Sequence, residues 1–140
     1  MKLDVYKREL VGEIMIHITH KGSFSNTEKF LSRAKALDIR RILERYAARG
    51  VTALSQATPV DTSKTSLSWY SEVKVYRGGR YTIKWFNRNE KDGVSIALLL
   101  QYGHGTRNGS YVQGIDYINP ALKPIFEEIA DEVWKEVTRI

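Results

Sequence analysis

The chain has 140 residues, a length that suits one domain, 1–140, with one hydrophobic core. Hydrophobic residues make up 42% of it and charged residues 27%, which is typical of soluble globular proteins. Because cysteine is absent, disulfides and thiolate metal sites are excluded, and an unexported protein is the simplest interpretation. No apolar stretch approaches the roughly 20 residues of a membrane helix, and the polar N-terminus does not resemble a signal peptide.

The net charge of +6 is unevenly distributed along the chain. Residues 1–57 contain 11 Lys/Arg and 6 Asp/Glu, residues 58–110 contain 8 and 4, and residues 111–140 contain 3 and 6. The C-terminal segment is therefore acidic and the rest is basic. Three interpretations follow: a solvated surface, contact with nucleic acid, or docking of the acidic face of one copy on the basic face of the next.

The first predicted strand is the alternating segment 11–19, in which Ile14, Ile16 and Ile18 share an apolar face. His17 falls on the more polar face and is expected to be exposed.

Residues 25–57 predict helical structure. Ser25, Asn26 and Thr27 are N-cap candidates, and Asp38 is a candidate cap for a second, longer helix that ends before Pro59. The apolar stripe of this second helix consists of Ile39, Ile42, Leu43, Tyr46, Ala47, Gly50, Val51 and Leu54.

Residues 58–66 are polar and predict a loop, and a β-hairpin is predicted over 66–87. Its turn is the Arg-Gly-Gly-Arg segment 77–80, since glycine accepts positive φ. Trp69 and Trp85 are expected to share one layer of the core. Leu67 and Val75 are expected on the same face as Trp69.

A loop at 87–93 precedes the apolar run 94–100, whose leucines and alanine favour a short helix. In the C-terminal helix Asn119 is the expected N-cap and Pro120 the first helical residue, and Pro124 is expected to delay the regular helix. The predicted apolar stripe of this helix consists of Ala121, Leu122, Ile125, Phe126, Ile129, Ala130, Val133, Trp134 and Val137. The elements predict an α+β fold: a small antiparallel sheet, formed by strand 11–19 and hairpin 66–87, with helices packed on one face and a long C-terminal helix.

The glycine-rich stretch LLQYGHGTRNGSYVQG, residues 99–114, raises the question of a ligand site. A phosphate-binding P-loop needs a lysine after its last glycine, and none follows here. The dinucleotide fingerprint fails too, because Asn108 stands where its last glycine or alanine belongs. His104 as a general base lacks a partner at a diagnostic spacing, although Asp61 and Asp116 are possible partners. No cofactor or metal is expected, since the three histidines lack ligand spacing.

The same stretch has a composition that suits protein contacts. We expect the segment Leu98 to Tyr102 to be anchored in the core and 103–116 to form a flexible loop. Within that loop the candidate contact residues are His104, Arg107, Asn108, Tyr111 and Gln113. A plain exposed loop is the alternative.

Three motifs resemble a family of small tailed-phage proteins, the neck or tail-completion components of head–tail joining clusters. The first is Thr58-Pro59-Val60-Asp61-Thr62-Ser63, which resembles the family's TPVDTG signature. The second runs from Leu100 to Thr106 and includes Tyr102, Gly103, His104 and Gly105, like the family's aromatic, small, glycine, threonine turn. The third is Tyr117-Ile118-Asn119-Pro120-Ala121, at the start of the last helix. The motifs match in order, and the resemblance covers roughly residues 25–138.

Two departures from the family pattern are visible. Ser63 stands where the family usually has glycine, and the loop after Thr106 is longer than in many members. Neither departure affects a catalytic residue, because the family has no known catalysis.

The resemblance implies a structural protein of a phage or prophage particle, not an enzyme. It implies contacts with other neck or tail proteins, a homo-oligomeric ring, and a location in the virion or, during assembly, in the host cytoplasm. No membrane association is expected, and transient contact with DNA stays open. For ring contacts we expect the acidic C-terminal helix of one copy to meet the basic helix 39–57 of another. The main rival is a nucleic-acid-binding module that uses Arg40, Arg41, Arg45 and Arg49, and a hydrolase that uses His104 is a third hypothesis.

Overall fold

The computed structural model describes residues 2–10, 13–21, 29–59, 63–77 and 79–138. Its elements in chain order are β1 Lys2–Leu10, β2 Glu13–Lys21, α1 Lys29–Ala57, α2 Ser63–Ser66, β3 Trp69–Tyr76, β4 Arg80–Asn87, β5 Glu90–Lys91, β6 Val94–Ser95, α3 Ile96–Tyr102, β7 Gly103–Gly105, β8 Tyr111–Gln113 and α4 Ile118–Thr138. This mixture of antiparallel strands and helices confirms the predicted α+β class.

The main sheet has four antiparallel strands in the order β1-β2-β4-β3. Strand β2 pairs with β4 so that Ile16 lies opposite Ile83, and β3 pairs with β4 so that Val73 lies opposite the same residue. The predicted strand 11–19 is thus shifted to Glu13–Lys21. Strand β1 was not predicted, because charges occupy both alternating sets of residues 2–10 and leave no clear apolar face.

Helix α1 covers one face of this sheet and approaches it closely. The indole Nε1 of Trp85, in β4, donates a hydrogen bond of 3.0 Å to the backbone carbonyl of Ala47. A Cβ atom at Gly50 would lie 2.5 Å from the same indole nitrogen. The glycine is therefore required by the close contact between helix and strand, at a position where the sequence showed only a gap in the apolar stripe. Trp69 and Trp85 are both buried in this core, as predicted.

Several predicted boundaries are wrong. Asp38 lies inside the continuous helix α1 and does not cap a second helix. The cap candidates Ser25, Asn26 and Thr27 lie outside the described residues. Part of the expected loop 58–66 forms α2, and Leu67 follows that helix with 78% of its surface exposed. Val75 is also exposed, at 43%, and lies next to the turn of the hairpin, where it pairs with Tyr81.

Helix α4 begins one residue before its predicted cap, so Asn119 and Pro120 belong to its first turn. Pro124 does not delay the helix. Pro124 has no backbone N–H, so the Pro120 carbonyl lacks its helical hydrogen-bond donor. Because both prolines are exposed, water can solvate that carbonyl. Five residues of the predicted stripe of α4 are buried, namely Leu122, Ile125, Ile129, Val133 and Val137, whereas Ala121, Phe126 and Ala130 are half-buried and Trp134 is 47% exposed. Among the described residues, no helix has the length and apolar composition needed to cross a bilayer.

Candidate assembly hairpin

The glycine-rich stretch forms a small β-hairpin, which we call the assembly hairpin and define as residues 103–113. Strand β7 pairs with β8, so that His104 lies opposite Val112 and Gly105 opposite Tyr111. In the turn, the Thr106 N–H donates to the Ser110 carbonyl at 2.8 Å and the Gly109 N–H donates to the Thr106 carbonyl at 3.1 Å. Gly109 has a φ of 76°, the left-handed conformation that such turns place at this position.

A paired hairpin occupies most of the segment 103–116, for which the sequence predicted a flexible loop. Three paired positions and a hydrogen-bonded turn organise residues 103–113, and only 114–117 lack regular structure before α4. Sequence reasoning missed the hairpin because its strands are only three residues long and one of them contains two glycines. The flexibility of the segment stays a prediction.

Two glycines hold the base of the hairpin together by close packing. Gly103 has a φ of 79°, which favours glycine. A Cβ atom at Gly114 would lie 2.5 Å from both the Gln101 carbonyl oxygen and the Gly103 nitrogen. Here the two chain segments are too close for any side chain. The glycines therefore serve chain packing, which explains their presence without a bound phosphate.

Gln101 joins the hairpin to the start of α4. Its side chain is buried, and its Oε1 accepts hydrogen bonds from the backbone N–H groups of Tyr117 at 3.0 Å and Ile118 at 2.9 Å. Its Nε2 donates to Asp116 Oδ1 at 2.6 Å. This amide satisfies two backbone donors at the start of α4, whose first residue is Ile118. Asn119, the expected cap, instead donates to Asp116 Oδ1 at 2.9 Å.

Sequence reasoning placed Gln101 only within a family motif and gave it no role. The signal that could have found it is a single amide in an otherwise apolar run, because a buried amide needs partners. Tyr102 was expected to be anchored in the core with Leu98, but 53% of it is exposed. Its backbone carbonyl accepts a hydrogen bond of 2.8 Å from the Tyr111 hydroxyl.

Most of the predicted contact residues are exposed on the hairpin. Arg107 and Asn108 occupy the turn, and Tyr111 is 62% exposed. Gln113, Val112 and Ile115 are exposed as well, so the tyrosines lie among other accessible apolar side chains. His104 differs, since it is half-buried and its Nδ1 has no hydrogen-bond partner within the described ranges.

The described start of the first family motif, Thr58 and Pro59, packs at the end of α1. Thr58 is buried, its hydroxyl donates to the Leu54 carbonyl at 2.6 Å, and it accepts a hydrogen bond of 2.9 Å from Trp69 Nε1. Pro59 is half-buried beside it. Val60, Asp61 and Thr62 lie outside the described residues. Thr58 therefore ties the end of α1 to the start of β3, which is a structural role.

A second structural network fixes the chain after this motif. Asn87 Nδ2 donates to the Thr65 carbonyl at 2.8 Å, and Asn89 Nδ2 donates to the Thr65 hydroxyl at 2.8 Å. The Asn89 carbonyl accepts the N–H of Ile96 at 3.0 Å, which positions the start of α3. All three polar side chains are buried and satisfied.

The basic and acidic helices meet within one chain. Arg49 pairs with Glu128 at 2.7 Å, Arg45 pairs with Glu132, and the Tyr46 hydroxyl donates to Glu132 as well. Hydrogen bonds from Tyr46 and Arg45 lower the pKa of Glu132. The expected contact between the two helices thus forms inside each molecule. These pairs occupy Arg45 and Arg49, two of the four arginines of the nucleic-acid hypothesis, and contact between copies through the two helices stays a prediction.

Within the part of the chain that the structure describes, no group of three or more His, Asp or Glu residues could hold a metal ion. Asp116, one proposed partner of His104, accepts hydrogen bonds from Gln101 and Asn119 instead. The other, Asp61, lies outside the described residues.

The fold defines an α+β protein, and two exposed tyrosines, Tyr111 in the hairpin and Tyr102 directly before it, mark its candidate surface. Comparisons with protein-family models, with curated proteins and with solved structures found no match to this chain.

Proposed function

We propose that the protein is a structural component of a tailed phage or prophage particle, at the head–tail junction or in tail completion. It acts through contacts between protein subunits and not through catalysis. The observation that carries this proposal is the assembly hairpin, together with the three motifs that resemble the phage family.

The hairpin is suited to a protein contact by its composition. Tyr111 and Val112 are exposed on the hairpin, Tyr102 is exposed directly before it, and Arg107 lies at the tip. Tyrosine and arginine are enriched among residues that dominate binding energy, because they combine apolar area with polar groups.

The way in which the hairpin is attached to the rest of the fold also suits a protein contact. Its base is held by Gln101, by the close packing of Gly103 and Gly114, and by the Ile115 N–H, which donates to the Leu100 carbonyl at 2.9 Å. A contact element that is ordered before binding loses less conformational entropy when a partner docks. In a closed ring each subunit offers two different patches, and a projecting hairpin is one such patch.

The experiment is complementation of a phage or prophage that carries this gene in disrupted form. We expect the double variant Arg107→Ala/Tyr111→Ala to fold but to lower the yield of complete particles about tenfold or more, counted by electron microscopy and by infectious titre. The matched control is Lys91→Ala/Val94→Ala, which removes one cation and one exposed apolar side chain from the β5–β6 pair.

A third variant, Tyr111→Phe, removes the hydrogen bond to the Tyr102 carbonyl but keeps the ring. We expect it to assemble nearly as well as the wild type, because the ring area supplies the contact. Wild-type particle yield from the double variant would refute the proposal. So would an equal loss in the control.

A further inference from the structure

The outward face of the β3–β4 pair carries a second surface, distinct from the assembly hairpin. Helix α1 covers the face that contains Trp69, Ile83 and Trp85. The opposite face carries Tyr70, Glu72, Lys74 and Tyr76 from β3, and Arg80, Lys84 and Phe86 from β4, with Thr82 buried between Arg80 and Lys84 and with Arg88 directly after the strand.

The charge of this surface is strongly one-sided. It carries four Lys/Arg, namely Lys74, Arg80, Lys84 and Arg88, and one acid, Glu72, whose carboxylate lies 4.0 Å from Lys74 Nζ. Arg80, Lys84 and Arg88 recur every four residues, so they fall on one face and about 14 Å apart along the strand. A row of cations at such spacing is complementary to a polyanionic backbone.

Aromatic rings lie between these cations. Tyr70 and Phe86 are direct neighbours across the strands, with ring centroids 5.1 Å apart and planes inclined by 19°. The Arg88 guanidinium lies over the Tyr70 ring at 4.1 Å. At the other end of the pair, the Arg80 guanidinium lies over the Tyr76 ring at 4.4 Å.

This pattern of stacked rings and guanidinium groups is more specific than positive charge alone. A guanidinium held against a ring offers its outer face for stacking on a base, while its N–H groups stay available to phosphate. Unpaired bases stack on such groups, whereas bases within a duplex are already stacked on one another.

We propose that the outward face of β3–β4 binds single-stranded nucleic acid, with Arg80, Lys74 and Arg88 contacting phosphates and the Tyr70–Phe86 pair and Arg88 stacking on bases. The strand length between Arg80 and Arg88, about 27 Å, suits a segment of roughly four nucleotides or more. This surface differs from the arginine row on α1 that the sequence suggested. The inference is independent of the role proposed for the assembly hairpin.

The test is fluorescence anisotropy of the full chain with labelled oligothymidylate, oligouridylate and a duplex of equal length, at low and at physiological salt. We expect binding of a single strand that weakens steeply with salt and exceeds binding of the duplex. The two single strands separate DNA from RNA as the natural source, because the proposed chemistry is shared by both.

The variant Lys74→Gln/Arg88→Gln is expected to weaken single-strand binding about tenfold or more and to reduce its salt dependence. The matched control Arg40→Gln/Arg41→Gln removes two exposed arginines from α1 and is expected to change affinity by less than about threefold. Thermal unfolding checks that both variants fold. The variant Tyr70→Leu is expected to abolish the preference for single strands over duplex.

Three results would overturn the inference. These are no binding at low salt, duplex binding at least as tight as single-strand binding, or equal losses in the sheet variant and the α1 control. The assembly variant Arg107→Ala/Tyr111→Ala should leave oligonucleotide affinity unchanged. The two proposals can therefore fail separately.

Discussion

Gln101 Oε1 accepts a hydrogen bond of 3.0 Å from the backbone N–H of Tyr117, 16 positions further along the chain. Gln101 lies just before the hairpin and Tyr117 lies just before α4. Their hydrogen bond therefore holds together the two ends of the segment that leaves the core between them. The Tyr117 hydroxyl adds a bond of 2.7 Å to the Ala97 carbonyl, one turn earlier in α3.

Replacement of Gln101 by leucine is expected to destabilise the protein by about 2–3 kcal/mol, because two buried backbone donors lose their acceptor. Urea unfolding of Gln101→Leu checks this. The control Gln113→Leu changes an exposed glutamine of the hairpin and should alter the free energy of unfolding by less than about 0.5 kcal/mol. Equal, small effects for the two variants would mean that the amide does not hold the helix start.

Replacement of Gly50 by alanine is expected to destabilise the protein by about 1–3 kcal/mol, although alanine is the better helix former. The added methyl group would overlap the Trp85 indole, which must move. In a Trp85→Phe background the same change should cost less, because the smaller ring leaves space. A thermodynamic cycle of the four proteins measures this coupling. Additive effects would contradict the close contact.

Replacement of Glu132 is expected to lower the free energy of unfolding at neutral pH and to lower it less in acid. Hydrogen bonds from Tyr46 and Arg45 lower the pKa of Glu132 below its ordinary value of 4.5. A depressed pKa stabilises the fold above the unfolded-state pKa, and this contribution disappears as the pH falls through the folded-state pKa. The difference in unfolding free energy between wild type and Glu132→Gln should therefore shrink between pH 7 and pH 3.

Glu127 supplies the control for this pH dependence, since it is an exposed acid on the same helix. Glu127→Gln should show a smaller difference from wild type at both pH values. A Glu132 variant whose deficit is constant with pH would show that its ionised form makes no special contact.

The periodic parts of the fold could be predicted from the sequence. The buried stripes of α1 and α4 and the β3–β4 hairpin follow from spacing, because period determines which side chains share a face. The features that the sequence did not predict depend on contacts between residues that are far apart in the sequence. The cap of α4 comes from Gln101, and the requirement for Gly50 comes from Trp85, which lies 35 positions away.

The sequence predicted the residues of the candidate site but not the secondary structure that carries them. Arg107, Asn108 and Tyr111 are exposed as expected. The sequence did not reveal that a paired hairpin carries them, because pairing of such short strands depends on the packed glycines at its base. The pairing of Arg49 with Glu128 was also hidden. Opposite charges on two helices do not tell whether the helices meet within one chain or between two.

The most direct measurement uses the absence of cysteine from the chain. An Asn108→Cys variant carries one thiol, at the tip of the assembly hairpin, and a thiol-directed photocrosslinker attached there reports what lies next to the tip in purified particles. Lys91→Cys, in the β5–β6 pair, is the matched control. We expect the probe at position 108 to crosslink to a second copy or to another particle protein, and far more strongly than the probe at 91. Incorporation into complete particles without crosslinking at 108, or with equal crosslinking at 91, would contradict the proposed role of the hairpin.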